Sequence, residues 1–120
     1  MAKILIVDDE TYIRDMLRKA LTTQGHLVSE SSDGNNAIKS LRENPVDLVI
    51  IDLVMPHKGG LETLIEIRDF DRDIKLIAIS GKIEISGDSI KALAKQFNVD
   101  RVLPKPFDID DLLKMVQELT

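Results

Sequence analysis

Three consecutive acidic residues, Asp8, Asp9 and Glu10, directly follow an apolar run at residues 3–7. Two carboxylates about 4 Å apart repel each other by roughly 4 kcal/mol at an effective dielectric constant near 20. A hard divalent cation offsets that repulsion, and Mg²⁺ commonly takes one or two carboxylates while keeping other positions for water and phosphoryl oxygens. Asp8 and Asp9 are therefore candidate cation ligands, whereas Glu10 is interpreted only as a residue that starts a helix.

Three further polar residues stand at the ends of other apolar runs. Asp52 and Ser80 each follow a run directly, and Lys105 comes two residues after the last one. Each residue taken alone is explained as well by a turn or a helix cap. Taken together they suit phosphoryl transfer, in which negative charge spreads over three oxygens and is offset by cations. Asp52 would be the nucleophile that forms an aspartyl phosphate, and Ser80 would donate a hydrogen bond to the phosphoryl group.

These residues are positioned by short apolar runs that alternate with amphipathic segments. The runs are typical of strands in a parallel sheet and cover residues 3–7, 27–30, 47–51, 75–79 and 101–103. Helices between them are predicted from apolar stripes at Ile13, Met16, Leu17, Ala20 and Leu21; Ala37, Ile38 and Leu41; Leu61, Leu64 and Ile65; Ile90, Leu93, Ala94 and Phe97; and Ile109, Leu112, Leu113 and Val116. Asp88 and Asp108 stand where the last two helices need N-caps.

Strand and helix alternate five times, which predicts an α/β fold with a doubly wound parallel sheet. Right-handed crossovers would place the helices on both faces of the sheet. Ligand sites in such folds form beyond the carboxyl ends of the strands, which is where the candidate polar residues fall.

Composition narrows the class of protein. A chain of 120 residues is expected to form one domain, 1–120, with no room for an output domain. The absence of cysteine excludes disulfides and thiolate sites. A net charge of -5, with three phenylalanines, one tyrosine and no tryptophan, argues against direct nucleic-acid binding. The apolar runs are too short for a membrane helix and no signal peptide precedes the first strand, so we expect a cytoplasmic protein without membrane insertion.

Five motifs occur in a fixed order over essentially the whole chain: Val7-Asp8-Asp9-Glu10, Asp52-Leu53-Val54-Met55-Pro56, Gly60-Leu61-Glu62, Ser80-Gly81 and Lys105-Pro106-Phe107. Together they resemble a response-regulator receiver domain (CheY-like) of two-component signal transduction. The resemblance implies a flavodoxin-like (βα)5 fold, with a five-stranded parallel sheet in the order 2-1-3-4-5.

The resemblance also implies the residue roles. Asp52 would be the phosphoacceptor, and it would bind Mg²⁺ together with Asp9, with Asp8 acting through water and the backbone carbonyl of Val54 completing the protein ligands. Two residues would bind the phosphoryl group, Ser80 as the switch hydroxyl and Lys105 as a cation.

A cis peptide between Lys105 and Pro106 is a further feature that the resemblance implies. At the position of the switch aromatic that many receivers carry, this sequence has Val102. The signal is then expected to depend on Ser80 and the loop that follows it. That loop, Gly81 to Gly87, is interpreted as a mobile lid or partner patch, or equally as a plain surface loop.

The function implied by the resemblance is transfer of a phosphoryl group to Asp52 from a histidine kinase or a histidine phosphotransfer protein. A downstream protein would read the face formed by the fourth helix, fifth strand and fifth helix, with a homodimer as an open alternative. Such a domain assists its own phosphorylation and dephosphorylation but is not a turnover enzyme. One rival is a pseudo-receiver that binds partners without phosphorylation. Another is a haloacid-dehalogenase-like phosphatase, which would need a second acid where this chain has Val54.

Overall fold

The computed structural model describes residues 1–55, 59–80, 92 and 95–120. Its elements are β1 (Lys3–Val7), α1 (Thr11–Thr23), β2 (Leu27–Ser31), α2 (Gly34–Glu43), β3 (Leu48–Asp52), α3 (Gly60–Phe70), β4 (Lys75–Ser80), β5 (Arg101–Pro104) and α4 (Ile109–Leu119). All strand pairs are parallel, and the sheet order is β2-β1-β3-β4-β5. The predicted fold class and strand order are confirmed.

The helix predicted around residues 90–97 falls mostly outside the described residues, as does its predicted cap, Asp88. Asp108 does cap α4, because its carboxylate accepts a hydrogen bond from the backbone N–H of Asp110 at 2.9 Å. Among the described residues, no helix combines the length and apolarity that crossing a membrane requires.

The core has two halves, one on each face of the sheet. Leu5 and Val7 of β1 pack with residues of α2 and α3, whereas Ile4 and Ile6 pack with residues of α1 and α4. Because neighbouring side chains of a strand point to opposite faces, both faces of β1 must be apolar, and this explains its uninterrupted apolar sequence.

Two residues of the predicted apolar stripes lie at the surface instead. Met16 of α1 has 36% of its surface exposed and Leu61 of α3 has 39%. Met16 lines a cavity beside the carboxyl edge of the sheet, so a stripe that fits the helical period is not buried along its whole length.

The strand register brings the polar residues to one edge. Val7 pairs with Ile51, so the residues that follow them, Asp8 and Asp52, leave the sheet side by side. Ser80 ends β4 opposite Pro104, directly before Lys105. The candidate functional residues therefore lie at the carboxyl ends of four strands, β1, β3, β4 and β5.

Candidate functional site

Four carboxylates converge at the carboxyl edge of the sheet. Asp8, Asp9, Glu10 and Asp52 each offer an oxygen, and these four oxygens lie within 4.8 Å of one another. Asp8 and Asp52 are buried, whereas Asp9 and Glu10 are exposed. The donors are all hard oxygens, the kind of ligand that Mg²⁺ prefers, so this arrangement fits a magnesium site.

Lys105 is the cation that the described part of the structure places against these carboxylates. Its Nζ lies 2.7 Å from Asp52 Oδ2, 3.5 Å from Asp8 Oδ2 and 3.4 Å from Glu10 Oε1. Its backbone N–H donates to the carbonyl of Ser80 at 2.9 Å, which extends the β4–β5 pairing. The peptide bond between Lys105 and Pro106 is cis.

The electrostatics of the cluster reflect its excess of negative charge. Burial lowers the pKa of Lys105, but the hydrogen bond to Asp52 and the charges of Asp8, Asp52 and Glu10 outweigh it, so the pKa is raised above its usual value. The pKa of Asp8 is raised, chiefly by burial, although a backbone hydrogen bond and Lys105 oppose the shift. The positive charge of Lys105 thus does not balance the negative charge of the four carboxylates. A divalent cation would relieve the repulsion that remains between them.

The turn between β1 and α1 is held by three kinds of hydrogen bond. Asp8 Oδ1 accepts from the backbone N–H of Glu10 at 2.8 Å, and the Asp8 N–H donates to the carbonyl of Ser31 at 3.2 Å. The carbonyl of Asp8 accepts from Arg14 Nη1 at 2.5 Å, and Arg14 Nε lies 3.5 Å from Glu30 Oε1. Arg14 was not predicted as part of the site, and only its place in the first turn of α1 could have suggested it.

Asp52 is fixed by its own loop and by a glycine. Its Oδ1 accepts from the Val54 N–H at 2.9 Å, while the Leu53 N–H donates to the carbonyl of Ile79. A Cβ on Gly60 would lie 1.9 Å from the carbonyl oxygen of Asp52. Since no side chain fits there, glycine at the start of α3 lets that helix pack directly against the backbone of Asp52.

The remaining predicted residues lie in different surroundings. Ser80 is buried at the end of β4, with 5% of its surface exposed. Val102 of β5 pairs with Ala78 and packs against the core half formed with α2 and α3. The loop Gly81 to Gly87 lies outside the described residues.

The interpretation of Glu10 as only a helix-start residue is corrected by the structure, because its side chain also contacts Lys105. It is the N-cap of α1, but its side chain makes no capping hydrogen bond and instead approaches Lys105. Sequence alone could not show this contact, because 95 residues separate Glu10 from Lys105.

A cavity of about 620 Å³ opens beside the cluster. Polar residues Glu10, Asp52 and Lys105 form one part of its wall, and the other part consists of Tyr12, Ile13, Met16, Val54, Pro106 and Phe107. Tyr12 and Val54 are largely exposed, at 67% and 48%. The route to Asp52 is therefore an open cavity with an acidic side and an apolar side.

Comparison with known proteins identifies the family. The family model of the response regulator receiver domain matches residues 4–117. The chain belongs to this family. Receiver domains are phosphoacceptor switches rather than turnover enzymes.

Relatives of this receiver domain differ in length. It is 34% identical to the chemotaxis protein CheY of Bacillus subtilis (strain 168) over 119 residues, covering 97% of this chain and 95% of CheY. It is 30% identical to response regulator MprA of Mycobacterium sp. (strain KMS) over 117 residues, covering 98% of this chain and 50% of MprA. The chain thus spans about half the length of MprA.

Solved structures resemble this receiver domain over its full length. TrrA from Thermotoga maritima, solved in complex with Mg²⁺-BeF, gives a TM-score of 0.85 at 32% identity and covers 100% of both chains. CheY4 from Vibrio cholerae gives 0.89 at 30% identity, covering 100% of this chain and 99% of that one.

Proposed function

We propose that this receiver domain takes a phosphoryl group onto Asp52 from the phosphohistidine of a histidine kinase or a histidine phosphotransfer protein. In that step an Asp52 oxygen bonds to phosphorus while the bond from phosphorus to the histidine nitrogen breaks and its electron pair returns to the ring. The observation that carries the proposal is the contact of buried Asp52 with Lys105 at 2.7 Å, within a cluster of four carboxylates that opens to a cavity.

Mg²⁺ is the cofactor that this chemistry calls for. Asp8, Asp9, Asp52 and the backbone carbonyl of Val54 are the proposed protein ligands, with Asp8 acting through water. Bound there, the ion would neutralise charge on the cluster and on the transferring phosphoryl group. The hydrogen bond from the Val54 N–H orients the Asp52 carboxylate before a donor arrives.

Two residues would convert phosphorylation into a signal. Lys105 lies close enough to Asp52 to donate to an added phosphoryl oxygen, and Ser80 ends the adjacent strand. Changing a two-state equilibrium from mostly inactive to mostly active takes about 5.5 kcal/mol of differential interaction. Two charge-assisted contacts made only with the phosphoryl group supply energy of that order.

The proposed output surface is the face formed by the predicted fourth helix, β5 and α4, where a downstream protein or a second copy of the chain would bind. On β5 the switch aromatic of many receivers is replaced by Val102. A valine undergoes no large rotamer change, so we propose that the signal depends on Ser80 and the segment after it.

The proposal is tested by incubation with acetyl phosphate, with and without Mg²⁺, followed by intact-mass measurement. We expect one phosphoryl group to be added only when Mg²⁺ is present, and none in Asp52→Asn. Glu118→Gln, an exposed acid on α4, is the matched control and should be phosphorylated like wild type. A folded wild-type protein that gains no phosphoryl group would favour the pseudo-receiver, and steady phosphate release from many phosphate esters would favour the phosphatase.

A further inference from the structure

Glu10 has a carboxylate that its own helix does not use. As the N-cap of α1 it makes no side-chain capping bond, and its side chain is 48% exposed. Its Oε1 lies 3.4 Å from Lys105 Nζ, and the residue lines the cavity that leads to Asp52. The charge of Glu10 therefore faces whatever approaches Asp52 through this opening.

The position of Glu10 differs from that of the two buried acids that share Lys105. Asp8 and Asp52 have side chains only 1% and 3% exposed, at the closed end of the cluster. Glu10 lies on the solvent side, where Lys105 is already closer to Asp52 and neutralises Glu10 only in part. A phosphodonor carries negative charge on the group to be transferred, so a carboxylate at this position repels it in proportion to the donor's charge.

We infer that Glu10 is a specificity-determining residue, which slows transfer from free, highly charged phosphodonors and so sets the selectivity of the site by donor charge. This inference rests on the proposed function of Asp52 as phosphoacceptor. It gives a chemical reason for a small anionic metabolite to be a poorer donor than a phosphohistidine whose surrounding protein can supply a cation to Glu10.

The test compares two small donors in wild type, Glu10→Gln and Glu118→Gln. Acetyl phosphate is a dianion near neutral pH, whereas phosphoramidate carries one net negative charge. At saturating Mg²⁺ and low ionic strength, Glu10→Gln should accelerate transfer from acetyl phosphate about three- to tenfold, and from phosphoramidate by roughly the square root of that factor. Both accelerations should shrink at high salt, and Glu118→Gln should change neither rate.

Mg²⁺ affinity, measured by calorimetry without any donor, separates this role from metal binding. Loss of one nearby charge should weaken the affinity up to about tenfold, as much as it changes the rate with the doubly charged donor. A loss beyond about a hundredfold would make Glu10 a metal ligand and overturn the inference. Equal acceleration with both donors, no acceleration, or the same acceleration in Glu118→Gln would overturn it as well. Failure of wild type to become phosphorylated would refute the proposed function and, with it, this inference.

Discussion

The two ends of the sheet each hold a mostly buried cation, and the two have opposite surroundings. At the carboxyl end, Lys105 faces three carboxylates. At the amino end, beside the starts of β4 and β5, the Arg68 guanidinium lies 3.7 Å from Asp100. It also donates to four backbone carbonyls, those of Phe97 at 2.9 Å, Asn98 at 2.5 Å, Arg72 at 3.0 Å and Ile74 at 2.6 Å.

The two cations therefore differ in role: the charge of Arg68 is structural, and that of Lys105 is functional. Burial lowers the pKa of Arg68 and the charges of Asp100, Asp71 and Asp73 oppose that shift, but its N–H groups donate to neutral backbone carbonyls. Lys105 instead lies among more negative charge than it can neutralise. We infer that the amino end is arranged for stability and the carboxyl end for binding a cation and a phosphoryl group, at a cost in stability.

The largest effect is expected from Arg68→Met. It removes the donor from four carbonyls, of which that of Ile74 is buried and the other three are partly buried, so the free energy of unfolding should fall by about 3 kcal/mol. Arg68→Lys keeps the charge but loses the planar guanidinium, so its free energy of unfolding should lie between those of wild type and Arg68→Met. Urea unfolding measures both losses. Mg²⁺ affinity of the folded variants should match wild type, and a marked change in it would break the proposed division between the two ends.

The next effect should come from Gly60→Ala, at the carboxyl end. The new Cβ would collide with the carbonyl of Asp52, so either α3 or the Asp52 loop must move. We expect a loss of about 2 kcal/mol together with slower phosphorylation of Asp52. Gly59→Ala is the matched control, because no atom of the described residues lies within 4 Å of its added Cβ and its φ of −65° suits any residue. Equal effects of the two substitutions would contradict the steric explanation.

Sequence patterns predicted the sheet well because parallel strands are buried on both faces. The run at 47–51 corresponds to β3 at Leu48–Asp52, and the run at 101–103 to β5 at Arg101–Pro104. The carboxyl edge followed from topology, since polar residues that directly follow such runs must converge there.

Contacts between distant segments could not be predicted in this way. Arg68 donates to carbonyls 29 and 30 residues away, and no periodic pattern encodes a bond to a backbone oxygen. Glu10 resembles an ordinary helix start until β5 brings Lys105 beside it. The functional residues at strand ends can therefore be predicted from the sequence. The residues that contact them cannot, because those contacts depend on tertiary packing.

A smaller effect of opposite sign is expected from Asp8→Asn. The substitution removes one buried charge from the crowded cluster while its side-chain oxygen can still accept from the Glu10 N–H. Without Mg²⁺ the variant should be more stable by about 1 kcal/mol, as for other substitutions that relieve a strained site. Adding Mg²⁺ should stabilise wild type more than the variant. Asp108→Asn, at a helix cap, is the control and should give no gain in stability. If Asp8→Asn were less stable than wild type, the negative charge of the cluster would already be balanced by Lys105.

The smallest effect concerns the amino end and depends on pH. His26 Nδ1 accepts a hydrogen bond from the backbone N–H of Ala2 at 3.1 Å, and burial lowers the pKa of His26 below its usual 6.5. The unfolded chain therefore binds a proton more readily than the folded one. The contribution of neutral His26 to the free energy of unfolding is fully present above pH 6.5 and is lost as the pH falls toward the lower folded-state pKa. In His26→Gln, urea unfolding across this range should show a shallower decline in stability than in wild type. An identical decline would mean that His26 is not held neutral by the fold.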